Sequence, residues 1–340
     1  MTAVQTYRGP IDTGELGMTL MHEHIFVRDR ELELDLPSSP WDASANVERA
    51  VRQLATIHAS GIRTVVDLTV LGLGRDVRTV AAVARRTPVH LVAATGWYTK
   101  AALPLYFQLR GPGRPIDGPD ELADLFLRDL EAGISGTDIR AGMIKVVTDE
   151  AGITDDIAWI MQAAAEAHRA TGVAITTHSH PASRNGLEQQ RFLRARGVPL
   201  DRVIIGHSGD TEDLGYLRSL MDEGSAIGLD RFGMEHVLTD DRRARTVLAL
   251  LRLGYADRLI LSHDAAVFSH VTPPAWRARM APRWHMETIP RHILPMLRDG
   301  GASDADLDQM LVLNPRRLLE PNPPTTGGAP ARIADEARRA

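Results

Sequence analysis

With 340 residues, 44% of them hydrophobic and 24% charged, the chain has a globular composition and enough length for one large core. No apolar stretch reaches the roughly 20 residues a membrane span needs, and the start MTAVQTYRGPIDTGE lacks the basic-then-apolar pattern of an export signal, so a cytoplasmic protein is expected. A net charge of -5 with dispersed Lys and Arg argues against nucleic acid as a partner, and the absence of cysteine leaves only nitrogen and oxygen to hold any metal.

Apolar, β-branched runs predict strands at GMTLMHEHIF, IRTVVDL near 62–68, HLVAATG at 90–96, GMIKVV at 142–147 and VAITTH at 173–178. VIIGHS at 203–208, SAIGLD at 225–230 and RLILSHD at 258–264 follow. Helical stretches such as DDIAWIMQAAAEAHRATG lie between them, that one ending at Gly172 as its cap. Eight alternating strand and helix units predict a (β/α)8 TIM barrel, one domain over residues 1–320, because parallel strands need crossover helices. An open doubly wound sheet is the alternative. It lacks the Gly-rich phosphate loop that would support it, since GLGRD at 72–76 is too short.

The stretches 98–120 and 265–290 read as long loops roofing the C-terminal face, DDRRART at 240–246 as solvated helix surface, and residues 321–340 as a flexible C-terminal tail. The apolar segments MTLMHEHIF and LPLYF are candidates for exposed surface in an assembly.

Six residues capable of binding metal terminate these strand-like runs: His22, His24, Lys145, His178, His207 and Asp264. Residues two apart on a strand share a face, so His22 and His24 point together while Glu23 points away. Each member has a bland reading: hydrogen-bonded histidines at a strand end, a helix N-cap for Asp264, a salt bridge from Lys145 to a partner such as Asp149. Taken together they favour a metal-dependent hydrolase with a metal centre at the C-terminal rim of a barrel, where Asp264 binds metal and accepts a proton from water. A lysine among Met143, Ile144, Val146 and Val147 is costly to bury as an ammonium ion. Addition of CO₂ would make it an anionic carbamate able to bridge two cations.

The motifs HEH (22–24), TGWY (95–98), GMIKVVTDE (142–150), THSH (177–180), GLEQQ (186–190), IGHSGDT (205–211), GLDRFG (228–233), SHD (262–264) and NPRRLL (314–319), in this order and spacing, resemble the phosphotriesterase family of the amidohydrolase superfamily over about residues 14–318. The resemblance implies a binuclear centre in which His22, His24 and Asp264 hold one divalent cation and His178 and His207 the other. A carboxylated Lys145 and a hydroxide would bridge them. Zn²⁺ is the first expectation, and Co²⁺, Mn²⁺ or Fe²⁺ would accept the same ligands. Tyr98 and Arg231 stand where the lactonase branch of the family has tyrosine and arginine. This implies hydrolysis of lactones, including N-acyl homoserine lactones, with weaker phosphotriesterase activity on paraoxon. Relatives are commonly homodimers, so a homodimer is expected.

Read from the residues, the Tyr98 phenol would orient the attacked carbonyl or merely pack, and Asp210 and Asp230 would hold Arg231, relay a proton from Asp264, or form ordinary salt bridges. Phe268, Trp276 and Trp284 in the roof stretch would wall an acyl chain or pack against helices; the family resemblance implies instead, as in some relatives, that Arg277 and Arg279 recruit a phosphorylated sugar lactone. Dedicated phosphotriester hydrolysis, hydrolysis of another ester, and a catalytically silent binding protein are the alternatives.

Overall fold

In the computed structural model, residues 3–36 and 41–322 are described. Nine strands form one parallel sheet: β1 (Met18–Val27), β2 (Ile62–Asp67), β3 (His90–Gly96), β4 (Ala141–Val147), β5 (Ile175–His178), β6 (Val203–Ile205), β7 (Ala226–Leu229), β8 (Leu259–Leu261) and β9 (Ala266–Ser269). β8 pairs with β7, and β9, only four residues further on, pairs with β1. The last strand of the barrel is thus two pieces that touch opposite ends of the sheet. Between them the Asp264 amide donates to the His22 carbonyl at 3.0 Å and the His24 amide to the Ala265 carbonyl at 2.9 Å. The sheet closes into the (β/α)8 TIM barrel expected from the alternating pattern.

Helices such as α1 (Ala43–Ala59), α2 (Val77–Ala84), α3 (Glu121–Glu131), α4 (Asp155–Thr171), α5 (Gly186–Arg194), α6 (Leu214–Asp222) and α7 (Asp240–Arg252) pack outside. Many begin at a side-chain cap, for example Asp42 on α1 and Thr154 on α4, which satisfies amides that have no partner inside the helix. α4 ends as expected at Gly172, whose φ of 70° suits a residue without Cβ.

Two apolar shells result. Leu54, Val65, Phe126, Ile144, Ile160 and Ile205 belong to the larger cluster, whereas Val66, Val92, Met143, Ile204 and Ile260 fill the smaller one inside the barrel. The split follows the period of two along each strand: Met143 faces inward, Ile144 outward, and Lys145 inward again. In β1 the pairing with β2 is irregular between Leu20 and Glu23. Met21 lies in the inner cluster, and this irregularity shifts the phase so that His22 and His24 face inward. Val4 from the hairpin Ala3–Thr6 and Gly9–Asp12, together with Leu318 and Leu319, fills the opposite end.

Several expectations change in detail. β6 and β8 stop at Ile205 and Leu261, so His207 and Asp264 lie beyond their strands, both in the left-handed region with φ of 58° and 54°. The stretch 98–120 holds the helix Leu105–Leu109, and 265–290 holds β9 and the helix Pro274–Met280. Asp240 and Arg243 in DDRRART are each only 1% exposed, because positions 240, 243, 247 and 250 share the buried face of α7. Met18 is half-buried and residues 19–27 are buried, so MTLMHEHIF offers almost no surface, whereas Leu105 and Tyr106 are exposed. The expected tail falls outside the described residues beyond Asn322. No helix among the described residues is long and apolar enough to cross a membrane.

Candidate metal centre

All six residues singled out in the sequence converge at the C-terminal ends of the strands. His24 Nε2 lies 3.2 Å from Asp264 Oδ1, His22 Nε2 lies 3.5 Å from the same oxygen, and Lys145 Nζ is 3.2 Å from His22 Nε2. On the other side, His207 Nε2 is 3.0 Å from His178 Nδ1 and 3.9 Å from Asp264 Oδ2. They line one cavity of about 280 Å³ with Tyr98 and Arg231. Local backbone explains the convergence. A side chain on Gly206 would meet the Thr177 carbonyl at 2.0 Å, so only glycine lets the chain turn there and set His207 beside His178.

Each imidazole turns its other nitrogen to an oxygen. His22 Nδ1 and His207 Nδ1 lie 2.7 and 3.0 Å from the two oxygens of Asp230, His24 Nδ1 lies 3.0 Å from the Thr69 hydroxyl, and His178 Nε2 lies 3.5 Å from Asp149. The Thr69 hydroxyl donates to Asp67, so it accepts from His24. An N–H held outward leaves a lone pair facing inward, the orientation that metal-ligating histidines adopt.

The electrostatics agree. Burial lowers the pKa of His22 and takes that of His207 well below the ordinary value, while His178 falls to about 4, all three favouring the neutral, ligating form. Burial pushes the Asp264 carboxyl up, but the Arg231 guanidinium that donates to it works the other way and favours its ionised form. Asp230 is likewise kept ionised against burial by His207 and His22. Burial takes Lys145 down to about 8, which eases loss of its proton. Four imidazoles, an ionised carboxylate and a lysine amine around one space are a donor set that fits divalent cations; His22, His24 and Asp264 bring ligand atoms within 4.8 Å of one another, as do His22, His207 and Asp230.

Lys145 does not pair with Asp149, which instead accepts from Lys100 at 2.8 Å and faces His178. Asp264 starts no helix. Arg231 donates to Asp264 at 3.1 Å and to Asp210 at 2.7 Å. Asp230 is spent on the two histidines instead of Arg231. Tyr98 stands edge-on to His178, ring centres 5.9 Å apart, and burial raises its phenol pKa. Its amide donates to the Leu71 carbonyl at 2.8 Å, and Gly72 makes that approach possible, since a Cβ there would lie 2.1 Å from the Tyr98 carbonyl. Trp97 packs on Phe107.

Of the three roof aromatics only Trp284 lines the cavity; Phe268 packs on Trp41 and Trp276 on His236. Arg277 is turned to the Ala266 carbonyl and Arg279 is exposed, so neither reaches the cavity. Residues that sequence reasoning missed include Arg243, which donates to Asp210 at 2.6 Å, as well as Thr69 and Lys100. Arg243 had a legible signal in its spacing from Val247 and Leu250. Thr69 and Lys100 had none.

A sequence model of the phosphotriesterase family matches residues 2–319. A phosphotriesterase homology protein of Mycobacterium tuberculosis (strain ATCC 25618 / H37Rv) is 43% identical over 320 residues, covering 94% of this chain and 98% of that one. An aryldialkylphosphatase of Saccharolobus solfataricus is 37% identical over 311 residues, covering 91% and 96%. The solved structure of the phosphotriesterase from Mycobacterium tuberculosis superposes with a TM-score of 0.92 at 43% identity, over 94% of this chain and 98% of that one.

Proposed function

The chain belongs to the phosphotriesterase family, and from that premise we propose a metal-dependent hydrolase that acts first on lactones and more weakly on phosphotriesters. His22, His24 and Asp264 would hold one divalent cation, His178 and His207 a second, with Lys145 as a carbamate between them. Bound there, the cations would supply an acidified water and a Lewis acid for the attacked oxygen.

The observation that carries the lactone reading is Tyr98 at the mouth of the cavity beside His178. A tyrosine phenol is protonated at neutral pH, and burial pushes its pKa further up, so it can donate to the single oxyanion that develops when a lactone carbonyl is attacked. Asp264, ionised and held by Arg231, accepts the proton of the attacking water and returns it to the departing ring oxygen, giving a hydroxy acid. Val27, Leu73, Val271 and Trp284 offer apolar wall to the alkyl part of the substrate.

A second reading, dedicated phosphotriester hydrolysis, is favoured by the name of the aryldialkylphosphatase relative. Rates on γ- and δ-lactones, N-acyl homoserine lactones and paraoxon, for wild type and Tyr98→Phe, decide between them. The lactone reading expects higher kcat/KM on a lactone and a fall of about 10²-fold without the hydroxyl, the cost of losing an oxyanion donor. Preference for paraoxon, or indifference to Tyr98, selects the second.

A further inference from the structure

Glu23 points away from the cavity and plays no part in the reaction above, yet it is fully buried beside Asp264. One of its oxygens accepts from the Ser262 hydroxyl at 2.8 Å, the His263 amide at 3.0 Å and His263 Nδ1 at 2.6 Å, and the other accepts from the Ala265 amide at 3.0 Å. The amides on both sides of Asp264 therefore end on one carboxylate, while the Asp264 amide itself goes to the His22 carbonyl. Asp264 needs such an anchor, because a non-glycine residue at φ 54° costs on the order of 1 kcal/mol or more and persists only when its surroundings impose it.

His263 extends the anchor to the roof. Its Nε2 accepts from the Ile289 amide at 2.9 Å, and an amide can only donate, so the ring proton sits on Nδ1 and points at Glu23. The Trp284 indole, part of the cavity wall, donates to the His263 carbonyl at 2.8 Å.

We propose that Glu23 and His263 are positioning residues that hold Asp264 in its left-handed turn and tie that turn to the roof segment 284–289. The proposal rests on the reading of Asp264 as a metal ligand. Two substitutions separate the bonds of His263. His263→Asn keeps a donor where Nδ1 stands and deletes the acceptor for Ile289, whereas His263→Gln keeps that acceptor and deletes the donor to Glu23.

Co²⁺ titrated into metal-stripped protein, followed by visible absorption, gives the readout. We expect His263→Gln and Glu23→Gln to raise the Co²⁺ Kd about tenfold or more, and His263→Asn to raise it less than about threefold. Equal weakening by the two His263 variants, or none, overturns the proposal, because a merely structural histidine would not distinguish them. Trp284→Phe, which removes the indole N–H together with part of the ring volume, serves where the buried variants fail to fold. A rise of about threefold in Kd supports the tie to the roof and an unchanged value overturns it. Asp264→Ala is the reference: if it binds Co²⁺ as wild type does, the ligand reading itself falls, whereas a loss there with no effect of His263→Gln sinks only this inference.

Discussion

The four imidazoles of the centre are held in two different ways. His22 and His207 lie deep, stacked with ring centres 5.0 Å apart, and share the two oxygens of a single buried carboxylate, Asp230. His24 and His178 have separate supports, a threonine hydroxyl for one and, for the other, a carboxylate at 3.5 Å that also serves the exposed Lys100. The deep pair is a coupled unit in which one loss is felt twice; the other two can be disturbed one at a time. Buried hydrogen bonds to charge are worth more than exposed ion pairs, so the two halves should differ in magnitude as well as in coupling.

Acid should break both halves together and is the largest effect expected. His22, His178 and His207 titrate below the ordinary value in the folded chain, so as pH falls through about 6.5 the unfolded state takes up protons that the folded state refuses. Stability is therefore present above that pH and lost below it, by up to about 1.4 kcal/mol per pH unit for each histidine. The depressed Asp230 and Asp264 extend the loss below about pH 4, the unfolded carboxylate value. Urea unfolding of metal-stripped protein at pH 7.5, 6 and 5 measures this, and a flat profile would contradict it.

Asp230→Asn comes next. It leaves His22 and His207 competing for one amide oxygen, and metal affinity by calorimetry should fall about 10²-fold, near the top of the range for outer partners of ligands. If Asp149→Asn costs as much, the comparison fails. The expected loss there is about tenfold. Thr69→Val should cost severalfold, and Lys100→Met less than about threefold, as befits an ion pair whose lysine is 67% exposed.

How legible was this in the sequence? The barrel was readable because the strands are dense apolar runs with period-two partners, and the six converging residues because each ends such a run. For Asp210 one of the open readings, a partner for Arg231, matches the ion pair at 2.7 Å. For Asp230 that reading fails, since nothing in GLDRFG says which neighbour its carboxylate will face. The roof resisted for another reason. Phe268 and Trp276 have the composition of a substrate wall, but their directions depend on Trp41 and His236, partners remote in sequence. The left-handed turns at His207 and Asp264 were hidden because the runs before them read as continuous strand.

The two-piece closing strand places Asp264 at the seam where the barrel joins its last strand to its first. His24 and Asp264 are 240 residues apart along the chain. Any ion gripped by both would act as a clasp, cross-linking the two ends of the fold as a disulfide does in proteins that have cysteine. Closing a loop of that length in the unfolded chain is worth on the order of 5 kcal/mol in the chain-entropy view. Removing the ion would then do more than silence the enzyme: hydrogen exchange should quicken first at the amides of 262–266, where the barrel unbuttons.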